Sequence, residues 1–223
     1  MFLHLKKITG FITLLYVVTV FGQTARVHSH NDYKQKVPFW YALGSGANSI
    51  EVDVFLENNE LFVAHDKKDI TKEQTFESLY LNPIDKALEM NMIKQESLQI
   101  LIDIKTDAKT TLNQIVKSIQ KYPKVTAQKK ISFVISGNQP APEEYNSYPE
   151  FILFDYQKLD DLTADQWKKV ALLSLSFPQY SKWNGKGGLT EEDLPKVTEV
   201  IKKAKSFGKP FRFWAIPDGE TSW

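Results

Sequence analysis

Apolar and polar positions alternate along residues 49–66, SIEVDVFLENNELFVAHD. Ile50, Val52 and Val54 fall on one side of an extended chain and Glu51 and Asp53 on the other, the period of two that marks a strand. Asn58-Asn59 supplies a turn, and residues 61–64 return as a second apolar run that delivers His65-Asp66. The same reading predicts strands over residues 26–30, 98–105, 130–136, 151–155, 170–177 and 211–216. Helical segments fall between them. Residues 39–43 are closed by Gly44, and residues 83–90 are opened by Asn82 as cap with Pro83 in the first turn. Residues 110–122 are stopped by Pro123, residues 164–169 follow, and residues 191–207 end at Gly208.

Strands alternating with helices predict an α/β fold with a parallel sheet and right-handed crossovers. Neither linker, repeat nor low-complexity run divides the chain, so residues 23–223 are expected to form one domain. The expectation is a (β/α)8 TIM-type barrel missing its last strand at the C-terminus, since the pattern stops after a seventh strand. On that reading the chain is a fragment of a longer one, with two edges left unpaired.

Composition narrows the class. With 42% apolar and 25% charged residues, 223 residues are enough for one sizeable core. A net charge of +1 provides no field for nucleic acid or an anionic membrane. The absence of cysteine excludes disulfides, thiolate metal sites and a cysteine nucleophile. Lys6 and Lys7 precede an uncharged, mostly apolar run over residues 8–21, and Val20-Phe21-Gly22 has the cleavage spacing of a secretory signal peptide. Residues 1–22 are therefore read as a signal peptide cut near Gly22-Gln23, and the mature chain as exported. The run is shorter than the ~20 apolar residues of a membrane anchor, which is the lesser alternative. Losing Lys6 and Lys7 takes the net charge from +1 to −1.

The chemistry gathers at strand ends. Glu51 and Asp53 share a strand face and repel unless something positive lies between them, and hard oxygen ligands suit calcium or magnesium. A solvated strand face is the plain alternative for an isolated E-x-D. His28 and His30, two apart, point the same way from the first strand, and the hairpin delivers His65. In the third strand, LQILIDIK, Asp103 and Lys105 share one face, which a structural ion pair would also explain. All these groups lie toward the C-terminal ends of their strands, where parallel α/β folds place active sites. Of four histidines, His4 goes with the leader and the other three fall within these motifs. One core histidine held by a hydrogen bond is ordinary; three in one set of motifs point to a site.

GANSIEVDV over residues 46–54, the H-D element at His65-Asp66, and IDIK over residues 102–105 resemble the PLC-like phosphodiesterases. That superfamily includes glycerophosphodiester phosphodiesterases, phosphatidylinositol-specific phospholipases C and spider-venom sphingomyelinases D. HSHNDY over residues 28–33 resembles the exported branch related to the yeast altered inheritance of mitochondria protein 6. Weaker likenesses follow at ISGN and FWAIPD. The resemblance implies Glu51, Asp53 and Asp103 as metal ligands and His65 as one member of a general acid–base pair. His28 would be the other member, with His30 the competing choice. Lys105 would hold a phosphate oxygen, and Trp214 would line the substrate mouth, although a buried barrel tryptophan explains Trp214 as well. Ser29 and His30 stand where glycerophosphodiesterases carry arginine and glycine after the first histidine, so the phosphate contact differs.

The implied reaction is hydrolysis of a small-molecule or lipid phosphodiester. A divalent cation would neutralise the diester's charge, Lys105 would add a second positive contact, and two imidazoles would move protons. Neither nucleic acid nor a stable membrane anchor is expected, and the oligomeric state is left open. One rival reading takes H-S-H as the paired-histidine site of amidohydrolases and PHP-type phosphoesterases, but no histidine follows His65. Another is a secreted non-catalytic barrel binding sugar or lipid through Tyr180, Trp183 and the loop at residues 184–188.

Overall fold

The computed structural model describes residues 26–217 and Gly219. The leader read over residues 1–22 lies outside the described residues. No described helix is long and apolar enough to cross a membrane.

The first strand, β1 (His28–Ser29), leads through a loop that buries Asp32, Tyr33 and Phe39 to helix α1 (Trp40–Gly44). β2 (Ser49–Glu57) and β3 (Glu60–Val63) form the expected hairpin, paired antiparallel from Val54↔Val63 to Glu57↔Glu60. Asn58 and Asn59 both have positive φ, 50° and 65°, the twist that a two-residue hairpin loop requires. Next come α2 (Asn82–Glu89), β4 (Leu98–Ile104), α3 (Ala108–Gln120), α4 (Pro123–Thr126) and β5 (Ile131–Gly137). β6 (Ile152–Tyr156), α5 (Ala164–Lys168), β7 (Val170–Ser176), α6 (Asp193–Ser206) and β8 (Phe211–Trp214) complete the described chain.

Seven strands run parallel in the order β1-β2-β4-β5-β6-β7-β8, with β3 attached to β2. The sheet curls into a TIM-like half-barrel with helices outside, and β1 and β8 are its two ends. Each strand keeps the alternation read from the sequence. Outward residues such as Ile50, Val52, Ile100, Ile102, Phe133, Ile135, Phe154 and Leu173 are fully buried against the helices and form the large core. The inward face has only a small apolar layer, Leu101, Val134 and Leu172. Above it, toward the C-terminal strand ends, the interior is polar.

Three expectations change. The first strand contracts from five residues to two, because Asn31 takes a left-handed conformation (φ 48°, ψ 48°) that turns the chain. Asn82 does not cap a helix. The apolar stripe begins earlier, at the buried Phe76, Tyr80 and Leu81, and a π-helical turn over Glu77–Leu81 runs straight into α2. A wider turn accommodates Pro83, which has no N–H to give the preceding turn. Asn82 instead accepts a hydrogen bond from the Tyr122 hydroxyl at 2.6 Å. Pro123 not only stops α3 but opens α4 at its first position.

The β1–α1 loop is tied by Asp32, which is fully buried. Its carboxylate accepts from the Phe39 amide (2.6 Å), the Ser29 hydroxyl (2.8 Å) and the Tyr80 hydroxyl (3.1 Å). The anchoring is needed because Phe39 has φ 63° and ψ −53°, the centre of a γ-turn closed by Trp40 N–H to Pro38 C=O at 2.7 Å. Asp32→Ala would strand buried donors and release this strained turn. It is expected to lower the unfolding free energy by about 3–5 kcal/mol, read from urea denaturation.

Candidate active site

β2 and β4 pair in register, with Asp53 beside Asp103. Glu51, Asp53 and Asp103 each offer a carboxylate oxygen, and these three atoms lie within 4.8 Å of one another. The period of two delivers the first two from one strand face and the third from its neighbour. Lys105 Nζ reaches Asp103 Oδ2 at 3.1 Å and Asp53 Oδ2 at 3.4 Å. The Tyr33 hydroxyl, from the loop held by Asp32, donates to Asp53 Oδ2 at 2.8 Å. Asp53 Oδ1 is buried with no partner among the described residues.

Gly137, at the end of β5, makes room for Asp103. Its φ is +66°, and a Cβ there would collide with Asp103 Oδ1 and lie 2.6 Å from the Ile104 carbonyl. An open groove of about 520 Å³ beside it is lined by Thr106, Asp107, Ala108, Gly137, Asn138 and Gln139.

His28 joins this cluster from β1. Its Nε2 lies 2.8 Å from Glu51 Oε2 and its Nδ1 2.8 Å from Ser49 Oγ. His30 is on the same side, as the two-residue spacing predicts, but more loosely: Nε2 is 3.7 Å from Glu51 Oε1 and the side chain is 67% exposed. His65 is half-exposed with Nδ1 3.7 Å from Asp66, and among the described residues neither a hydrogen bond nor an ion pair joins it to the Glu51, Asp53 and Asp103 carboxylates. Trp214 is exposed at the end of β8. The structure thus gathers Glu51, Asp53, Asp103, Lys105, His28 and His30, whereas His65 and Trp214 are exposed and no hydrogen bond or ion pair among the described residues joins either to the triad.

Two further charged groups were not singled out in the sequence. Asp155, on β6, is fully buried and accepts from Ser174 Oγ (2.5 Å) and Ser136 Oγ (3.0 Å). Arg212, on β8, approaches His28, Glu51 and Asp155 together, at 3.0, 3.7 and 3.9 Å. Asp155 follows the inward alternation of Leu153, and Arg212 sits inward between Phe211 and Phe213. That alternation was the available signal, but single charges in short apolar strands carry little weight without the neighbouring strands.

Burial pushes the Asp53 and Asp103 carboxyls up; Lys105 opposes the shift, but both remain above the ordinary range. Burial also pushes Glu51 up, but the hydrogen bond and charge of His28, with Arg212, outweigh it and hold Glu51 below its ordinary value. Burial would lower Lys105, yet Asp103 and Asp53 hold it above its ordinary value, so it stays charged. Burial, reinforced by Asp53, pushes the Tyr33 hydroxyl up and keeps it a donor. The three carboxylates outnumber the one lysine among them. With a free oxygen on Asp53 and an all-oxygen donor set, the residues fit a hard divalent cation.

The AIM6-like phosphodiesterase domain matches residues 19–134, just over half of the chain. The altered inheritance of mitochondria protein 6 homolog of Arthroderma benhamiae is 29% identical over 228 residues, covering 86% of this chain and 72% of that protein. The Eremothecium gossypii protein of that name is 27% identical over 248 residues, covering 88% of this chain and 62% of its own length. A Saccharomyces cerevisiae counterpart is 25% identical over 240 residues, with 86% and 61% covered. Among solved structures, a glycerophosphodiester phosphodiesterase from Parabacteroides distasonis superposes with a TM-score of 0.52 at 16% identity, covering 86% of this chain and 84% of that one. This last likeness is one of fold.

Two outcomes are expected. Gly137→Ala combines a left-handed backbone with a side-chain collision and should cost about 2–4 kcal/mol in denaturant unfolding. Burial raises Asp155 from the ordinary 3.8 to about 6, against the hydrogen bond of Ser174 and the charge of Arg212. A carboxyl raised on folding stabilises most below its unfolded value, and that contribution is lost as pH rises through the folded value. In chelator, wild-type stability relative to Asp155→Asn should therefore fall by about 3 kcal/mol between roughly pH 4 and pH 7.

Proposed function

Because the chain belongs to the AIM6-like phosphodiesterase domain family, we propose that it is a metal-dependent phosphoric diester hydrolase acting on a glycerophosphodiester or phospholipid-type head group. The observation that carries this reading is the inward triad of Glu51, Asp53 and Asp103, the first two buried, with Lys105 beside it and His28 bonded to Glu51. The relatives' names support the family, and the Parabacteroides distasonis fold supports the scaffold. We take that scaffold to be the (β/α)8 barrel with its last strand wanting between β8 and β1.

On this reading Glu51, Asp53 and Asp103 hold calcium or magnesium, which when bound offsets the diester's negative charge and polarises its phosphorus. Tyr33 orients Asp53 by donating to Oδ2, leaving Oδ1 for the cation. Lys105, kept charged by its two aspartates, places a cation where negative charge builds up on the phosphoryl oxygens. His28 and His65 divide the proton transfers. One accepts a proton from the attacking water or substrate hydroxyl, and the other donates to the leaving alkoxide oxygen. His30, on the same side as His28, is the alternative partner. Attack by a neighbouring hydroxyl of the substrate would give a cyclic phosphate first; attack by water would give the open monoester. Trp214, exposed on the last strand, lines the mouth. The substrate is a small or lipid diester rather than nucleic acid, met outside the cell after export.

The test is hydrolysis of a chromogenic phosphodiester after chelation, with calcium or magnesium restored. Activity should return with metal, and Asp53→Asn and His65→Ala should each lower kcat/KM by about 10²–10⁴-fold. A folded protein that binds neither ion overturns the proposal.

A further inference from the structure

We propose that Arg212 is the anion anchor of this site, holding a non-bridging oxygen of the substrate's phosphoryl group, and that Asp155 is the residue that positions it. This rests on the phosphodiesterase reading and adds a residue from the opposite end of the sheet.

The argument starts from hydrogen-bond supply and demand. A guanidinium has five N–H donors in a rigid fork and is always charged. The Arg212 side chain is 29% exposed, and its Nε is buried with no partner among the described residues. Its single hydrogen-bond contact among the described residues is Nη1 to His28 Nε2 at 3.0 Å. That contact is contested. The same Nε2 faces Glu51 Oε2 at 2.8 Å, and a carboxylate can only accept. The other ring nitrogen faces Ser49 Oγ at 2.8 Å, a hydroxyl that can either donate or accept, so the Nε2 proton is decided by Glu51. His28 Nε2 therefore carries a proton and gives it to Glu51, so Arg212 Nη1 meets a donor rather than an acceptor. Glu51 and Asp155, at 3.7 and 3.9 Å, lie outside hydrogen-bond range and act on Arg212 through charge alone. A charged fork that is partly open to solvent, with no acceptor on its buried Nε, is what an incoming anion completes.

Placement agrees. β1 brings no cation beside His28, since Ser29, His30 and Asn31 follow it. Lys105 is committed to Asp53 and Asp103 on one side of the triad, and Arg212 stands on the other, next to Glu51. An oxygen-rich anion at the triad would thus meet a lysine from β4 and a guanidinium from β8. Asp155 cannot drift, because the hydroxyls of Ser136 and Ser174 grip its Oδ2. It is the fixed negative post against which Arg212 is held.

Binding of dimethyl phosphate, a small diester monoanion, to the full chain in magnesium or calcium buffer tests this by phosphorus NMR titration. Ion affinity is measured separately by calorimetry, and folding is checked by thermal melting. Arg212→Gln should weaken dimethyl phosphate by about 30-fold or more, and Arg212→Lys, which keeps charge but loses the fork, by about tenfold. Arg212→Lys keeps the charge beside Glu51, so ion affinity should stay within about threefold in that variant. Asp155→Asn, a change in positioning, should raise KM for a chromogenic diester severalfold more than it lowers kcat. Wild-type affinity for dimethyl phosphate in folded Arg212→Gln or Arg212→Lys overturns the assignment while leaving the phosphodiesterase reading intact. If the wild-type chain neither binds dimethyl phosphate nor hydrolyses the chromogenic diester, that reading falls and this one with it.

Discussion

Burying carboxylates inside a barrel is the constraint on which the rest of this structure depends. Glu51, Asp53, Asp103 and Asp155 all point inward, and an ion taken out of water costs several kcal/mol unless it is paired and hydrogen-bonded. The compensation is partial and shared: His28 for Glu51, Tyr33 and Lys105 for Asp53, Lys105 again for Asp103, and two serines on one oxygen of Asp155. The inward face consequently contributes little apolar burial beyond Leu101, Val134 and Leu172. Cohesion comes from the outward face, where the same strands meet the helices through fully buried Ile, Val, Leu and Phe side chains. One strand alternation separates chemistry from stability.

The loop after β1 links the two. Asp32 fastens the γ-turn at Phe39 to Tyr80 in the core, and the neighbouring Tyr33 reaches Asp53 in the site. The cost of a positive φ at Asn31 and Phe39 is met by these contacts. The motif HSHNDY is therefore half a site element and half a structural one: His28, His30 and Tyr33 face the carboxylates, whereas Ser29 and Asp32 bond each other.

Legibility followed the strength of the local pattern. SIEVDVF and LQILIDIK carry three inward polar residues each (Ser49, Glu51, Asp53 and Gln99, Asp103, Lys105), so their faces could be read directly, and the hairpin followed from Asn58-Asn59. Asp155 and Arg212 were missed because one charge in a five- or four-residue strand has no periodicity of its own; only the packed neighbours reveal which way it points. Asn82-Pro83 misled because a cap-and-proline signal was outweighed by the apolar stripe upstream, a tertiary preference invisible to local rules. His65 was legible as a strand-end residue, but its distance from the carboxylates depends on loop conformation.

The ion pair between Arg212 and Glu51, 3.7 Å apart, ties the last described strand to β2 beside β1, although no backbone ladder connects β8 to either among the described residues. The half-barrel is fastened there by side chains, like a clasp rather than a weld. Anything that occupies the clasp also acts on the two loose edges of the sheet. A ligand bound between these groups would therefore also stabilise the scaffold, since the side chains it would meet are the ones that span the gap between the sheet's two ends.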